Sequence, residues 1–201
     1  MMKTEEHKAG RKVVAIASST GGPKALQNLI PLLPSNLNAP VLIVQHMPAG
    51  FTEALAERIN NLSQLSVKEA QEGDVLVPGQ ALLARGGRHM NVVKSGAKHV
   101  IHYSDEPPRE GVRPCANYMY ESLAGCGYEE VICAVLTGMG ADGTVGIKHL
   151  KEKKKVTVFA QSEETCAVYG MPRSIVLSGL TGQGISLEQI AQEIIRNVGV
   201  N

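Results

Sequence analysis

This chain of 201 residues has no dominant charge: 20 Lys and Arg face 19 Asp and Glu. That balance lacks the basic excess that marks a nucleic-acid or anionic-membrane binder. No apolar run approaches the roughly 18 residues that a spanning helix requires, and no leader-like stretch opens the chain. Both absences predict a cytoplasmic protein without membrane insertion. The four cysteines, Cys115, Cys126, Cys133 and Cys166, form no C-x-x-C pair, and none stands near a histidine at ligand spacing. They read as reduced, structural thiols; three lie in apolar or helical stretches, where cysteine acts as a small hydrophobe. His99 and His102 alternate across a strand-like stretch and cannot form a local metal pair. Neither a metal nor a cofactor is expected. The phosphate signature G-x-x-x-x-G-K-[ST] is missing, and the first turn lacks a full G-x-G-x-x-G. The second strand ends in Gln45-His46 rather than in a ribose-binding acid. No internal repeat or low-complexity tract occurs.

What remains is an ordinary globular composition, 43% hydrophobic and 19% charged, long enough for one large α/β domain. Met1–Arg11 is polar and aperiodic, a tail or linker remnant, so the domain is expected over 12–201. "VVAIA" (13–17) and "VLIVQ" (41–45) are the continuous apolar runs of strands covered on both faces. "PKALQNLIPLLP" between them is a helix with Pro23 at its start. A second amphipathic helix follows over 51–62. From Val67 to Tyr103 the turn signals Pro78-Gly79, Gly86-Gly87 and Ser95-Gly96 predict antiparallel hairpins inserted at the sheet edge. Helix over 114–127, strand over 130–138, a helix from Ala141, strand over 155–161 and two short helices complete the alternation. Ser186 with Gln189 marks a capping box opening the last helix. The fold class is α/β: a doubly wound, mostly parallel sheet with helices on both faces and a hairpin insertion.

In such sheets ligands sit beyond the carboxyl ends of the strands, near the point where strand order reverses. "SSTGG" follows the first strand, "QHMPAG" the second and "TGMGADG" a later buried one. These endings bring a hydroxyl (Ser18, Ser19 or Thr20), an imidazole (His46) and a carboxylate (Asp142) to one edge. Nucleophilic acyl transfer needs that set. Serine is a weak nucleophile until a neighbour takes its proton, and histidine, with an ordinary pKa near ~6.5, does so at neutral pH. A carboxylate then fixes the tautomer. Gly21 and Gly22 allow a tight turn whose N–H groups could receive an oxyanion. Taken singly, each residue has a plainer reading: a connector or nucleotide loop, a structural histidine, a turn aspartate. Two rivals therefore stand beside a hydrolase: a non-catalytic module holding a phosphorylated ligand at Ser19–Gly22, and a regulatory adaptor that docks its partners through the same surface.

The motifs "ASSTGGP", "VQHMPAGFT", "LTGMGADG" and "TCAVYGMPRSI" together resemble the catalytic domain of the bacterial chemotaxis receptor methylesterases. The likeness runs from about Val13 to Ile195. It implies hydrolysis of γ-glutamyl methyl esters on the cytoplasmic helices of methyl-accepting chemotaxis receptors, with glutamine deamidation at the same sites. By position it assigns Ser19 as nucleophile, His46 as base, Asp142 as the orienting carboxylate and the Met139 N–H as oxyanion donor. The chain departs from the family at Ala17, often Gly, and at Arg113–Asn117, where R-P-S-x-D is common; Cys115 and Asn117 are left without a role. The family's upstream phospho-receiver domain is not in this sequence. A receptor helix would need more surface than three loops, which points to the 73–103 insertion. Arg85 and Arg88 are candidate contacts for acidic helices, or simply solvated loop charges.

Overall fold

The computed structural model describes residues 11–201; of the expected tail, residues 1–10 lie outside the described part. Six strands form one sheet in the order β3-β4-β2-β1-β7-β8, with β1 Lys12–Ser18, β2 Val41–Gln45, β3 Ser66–Glu69, β4 Gln80–Leu83, β7 Glu130–Val135 and β8 Lys155–Ala160. Every neighbouring pair is parallel. The chain leaves β1 toward β2 on one side and returns to its other side with β7. The order therefore reverses at β1, which places the topological switch point at its carboxyl end.

Alternation along the strands explains their unbroken apolar character. Val14, Ile16, Val41 and Ile43 enter one core layer, shared with α1 (Gly22–Leu29), α2 (Thr52–Leu62) and α6 (Leu187–Val198). Val13, Ala15, Ala17, Leu42 and Val44 enter the other, shared with α3 (Ala116–Ser122), α4 (Thr144–Lys153) and α5 (Gly170–Leu177). Both faces are dry, so between their ends the central strands β1 and β2 carry apolar residues, and polar ones appear only at the ends, where partners meet them. Among the described residues no helix is long and apolar enough to cross a membrane.

The 67–103 segment differs from expectation. Only the Ser95-Gly96 turn closes a hairpin, β5 (His89–Ser95) with β6 (Lys98–Ser104), as a separate two-stranded sheet. β3 and β4 instead extend the main sheet in parallel register, Ser66 opposite Gln80 and Glu69 opposite Leu83. Burial decided this: Val67, Ala81 and Leu83 complete the layer under α2. Between β3 and β4 the chain leaves the sheet and runs beside β6, with the Gly73 N–H donating to the Ile101 carbonyl and the Leu76 N–H to the His99 carbonyl, both at 2.9 Å. Strands of four residues are too short to display a period, so the turn residues misled the reading.

The last helix begins as its sequence signals. The Gln189 N–H donates to Ser186 Oγ at 3.2 Å and the Ser186 N–H to Gln189 Oε1 at 2.9 Å. Ser186→Ala should remove about 1 kcal/mol of stability, which thermal denaturation would read as a fall of roughly 2–4 °C. The strand ends on the far side of α6 should be undisturbed.

Candidate active site

Two serines end β1, and the structure gives them opposite environments. Ser18 is fully buried and its Oγ donates to Gln45 Oε1 at 2.6 Å. The Gln45 Nε2 donates in turn to the carbonyls of Ser19 (2.9 Å) and His46 (3.1 Å). One buried amide thus ties together the ends of two adjacent strands. Ser19 is only half-buried. Its N–H donates to the Thr137 carbonyl at 2.9 Å and its carbonyl accepts from Gly22 N–H at 2.8 Å. The backbone is pinned from both sides, while among the described residues Ser19 Oγ has no hydrogen-bond partner.

His46 stands one residue beyond β2, its N–H on the Ser18 carbonyl at 3.1 Å. Continuing the strand alternation puts Ser19 with Ala15 and Ala17, and His46 with Leu42 and Val44, on the same α3–α4 face. Asp142 arrives on that face, in the loop between β7 and α4. His46 Nε2 lies 2.6 Å from Asp142 Oδ2, both side chains nearly enclosed. Three further donors converge on this carboxylate: Ala116 N–H on Oδ2 at 2.6 Å, and Asn117 N–H (2.9 Å) and Cys115 Sγ (3.1 Å) on Oδ1. Burial alone would push the Asp142 pKa up. The bonds from His46, Ala116 and Cys115 outweigh it and hold the carboxyl below its usual range. An ionised carboxylate only accepts, so Nε2 carries the imidazole proton and Nδ1 holds the free lone pair.

Asn117 sets the position of this carboxylate twice over. Its backbone N–H binds Asp142, while its Oδ1 accepts from the N–H groups of Gly143 (2.9 Å) and Gly146 (2.8 Å). It thereby caps α4 from another helix and fixes the loop that carries Asp142. Its Nδ2 is buried with no partner among the described residues. Cys115, buried, acts here as an S–H donor to the carboxylate, not as a nucleophile; burial and the Asp142 charge drive its pKa up.

The loop after β7 closes the other side of Ser19. Thr137 Oγ1 donates to the Thr20 carbonyl at 2.9 Å and accepts from Val168 N–H at 3.0 Å. Gly138 is packed so closely that a Cβ there would fall 2.7 Å from Ser19 Cβ and would overlap the Met171 sulfur. Met139, next in the chain, is 71% exposed, and among the described residues its N–H has no acceptor. In the first turn the Gly22 N–H is engaged by the Ser19 carbonyl, and Gly21 adopts φ 80° at the head of α1. The N–H groups of Thr20 and Gly21 have no acceptor among the described residues.

The turn after β4 borders the site: a side chain at Gly86 would strike the backbone of Pro48 and Ala49, just past His46. The arginines of this turn are paired. Arg85 lies 3.3 Å from Glu69, and Arg88 grips Asp105 with two bonds of 2.7 and 3.0 Å. Among the described residues no three His, Cys, Asp or Glu side chains could hold a metal ion.

The CheB methylesterase family model matches residues 14–194, nearly the whole described chain. The chain belongs to the CheB methylesterase family. It is similar to the protein-glutamate methylesterase/protein-glutamine glutaminase of Bacillus subtilis, 44% identical over 187 residues, covering 92% of this chain and 52% of that protein. The protein of the same name from Pyrococcus abyssi is 42% identical over 188 residues, 94% of this chain and 51% of its own. The chain thus spans about half the length of the curated relatives it matches. The crystal structure of the Thermotoga maritima CheB methylesterase catalytic domain superposes with a TM-score of 0.89 at 38% identity, covering 92% of this chain and 98% of that one. The parallel sheet with its separate hairpin is therefore the CheB catalytic-domain fold.

Gln45, Thr137, Cys115 and Asn117 are the positions that sequence reasoning left without a role. Gln45 carried a signal, a polar residue closing a buried strand. Asn117 carried none, because the N–H groups it caps lie 26 and 29 positions away. Two substitutions test this construction. Asn117→Ala leaves two buried N–H groups unpaired and should lower stability by about 2–5 kcal/mol. Asn117→Asp keeps the acceptor, removes the orphaned Nδ2 and should melt close to the parent. Gly138→Ala should cost about 1–3 kcal/mol through overpacking and slow labelling of Ser19 by a serine-directed probe at least ~10-fold, as its methyl displaces the serine.

Proposed function

We propose that this chain is a serine hydrolase that removes methyl groups from γ-glutamyl methyl esters on chemotaxis receptors and deamidates receptor glutamines, acting in the cytoplasm. Residues 12–201 form its catalytic domain. The observation that carries this reading is the buried His46–Asp142 pair on the sheet face that also carries Ser19, whose hydroxyl has no hydrogen-bond partner among the described residues. Ser19 Oγ attacks the ester carbonyl and passes its proton to His46 Nδ1, while Asp142 stabilises the imidazolium through Nε2. The Met139 N–H, with the Thr20 and Gly21 N–H groups, receives the oxyanion. Collapse of the tetrahedral intermediate releases methanol, protonated by His46; water then hydrolyses the acyl-enzyme by the reverse transfers. With glutamine the leaving group is ammonia. The relatives' names support both activities. Exposed Phe51 and Met139, on the loops that follow His46 and β7, give a receptor helix an apolar landing surface.

A phosphate-holding module finds less support. The Gly22 N–H already serves the Ser19 carbonyl, and none of the Lys or Arg side chains that a phosphate dianion would call for lies in the Ser18–Gly22 turn.

Ser19→Ala should reduce methanol release from methylated receptor by on the order of 10⁴-fold or more, whereas Ser18→Ala, which loses one structural bond, should remain active. Methanol release at wild-type rate by the Ser19 variant would overturn the reading. Asp142→Asn should cost roughly 10²- to 10⁴-fold, since either orientation of the amide turns its NH₂ toward a backbone N–H. The loss should be larger on glutamine-bearing than on methylated receptor, because expelling ammonia depends more on a well-placed proton donor. Parallel assays on the two substrates read this ratio.

A further inference from the structure

The amino ends of the strands, opposite the serine, hold a cavity of about 390 Å³. Its walls come from the start of β1, the Val75–Pro78 segment, the β5–β6 hairpin and Tyr128 before β7. Neither Ser19, His46 nor Asp142 lines it. The volume falls within the range of small-molecule sites, roughly 300–1,000 Å³. Val75, Val77 and Tyr128 make part of the lining apolar, and Arg11 and Lys98 stand at its exposed side. Lys12 also borders it, but its charge is committed to Glu130 at 2.9 Å and to the Asn197 carbonyl at 2.6 Å.

The decisive group is His99. It is only 6% exposed, yet it lines the cavity. Its Nε2 accepts the Gly127 N–H at 2.8 Å. A backbone N–H can only donate, so Nε2 is unprotonated and the neutral ring carries its proton on Nδ1. Burial, with the charges of Arg11, Lys94 and Lys154, lowers the His99 pKa and keeps the ring neutral. Among the described residues Nδ1–H has no acceptor. Tyr128 holds the ring in place, with centroids 4.4 Å apart. The cavity therefore offers a fixed, nearly buried donor, two cations at its mouth and an apolar wall, while its own wall supplies no anion to that donor.

We propose that this cavity binds a small amphiphilic carboxylic acid. The carboxylate accepts from His99 Nδ1–H between Arg11 and Lys98, and the apolar stem lies against Val75, Val77 and Tyr128. An acid bound there would not touch Ser19, His46 or Asp142, so the inference stands independently of the esterase reading.

Hexanoate is a suitable probe, titrated into the full chain with amide resonances followed by NMR. The Gly127 amide, bonded to His99, should shift saturably with half-saturation in the millimolar range, as expected for a ligand of this size. Hexanol and hexylamine should bind at least ~10-fold more weakly, because they lack the charge that the donors select. The doubly substituted Arg11→Ala, Lys98→Ala protein should fold with an unchanged melting temperature, since both side chains are exposed, and should lose ~10-fold or more in hexanoate affinity. Acetate should bind more weakly than hexanoate by a similar factor. Three results would overturn the proposal: no saturation by about 100 mM hexanoate, hexanol as tight as hexanoate, or acetate as tight as hexanoate. The first denies a site, the second denies recognition of the carboxylate, and the third leaves only a surface charge effect.

Discussion

Asp142 accepts four hydrogen bonds from inside an almost dry site, and each donor belongs to a different residue. A buried carboxylate is tolerable only when its lone pairs are met, so these donors are a condition of its ionisation. Satisfying them draws the Cys115–Asn117 segment onto the loop after β7. That loop in turn presents Gly138 and Met139 to Ser19. The ionised state then dictates the tautomer of His46. Charge, loop position and the basic nitrogen follow from one solvation problem.

Gln45 plays the matching role on the serine side. Its amide is both acceptor and donor, and it uses both ends, taking Ser18 Oγ and giving to the Ser19 and His46 carbonyls. Neighbouring side chains on a strand face opposite ways. Engaging Ser18 with the α1–α2 side therefore commits Ser19 to the other. Two serines in a row are thus not redundant: the first anchors, and the second is left free.

Much of this was legible in the sequence. Each candidate residue follows an apolar run and a cluster of small residues, and the rule that parallel sheets bind ligands at their carboxyl ends gathers Ser19, His46 and Asp142 into one place. Strand parity also puts Ser19 and His46 on one face, a signal that residue spacing alone carries. The supporting contacts were hidden because they join positions with no local pattern, such as Asn117 to Gly143 and Gly146, or Thr137 to Thr20. β3 and β4 were misread for a related reason. Four residues between glycine and proline punctuation carry turn information but no period, and tertiary burial then decides their pairing.

His46 and Asp142 lie 96 positions apart, and Ser19 meets Thr137 across the same central strands. No contiguous fragment shorter than most of the domain can hold all three groups. Parallel pairings of this kind form late, because long loops must close before any contact compensates the lost entropy. A nascent or partly unfolded chain would therefore have a serine, a histidine and an aspartate, but not the constellation they form at the sheet edge. The topology makes the meeting of these three side chains an all-or-none property of the finished sheet.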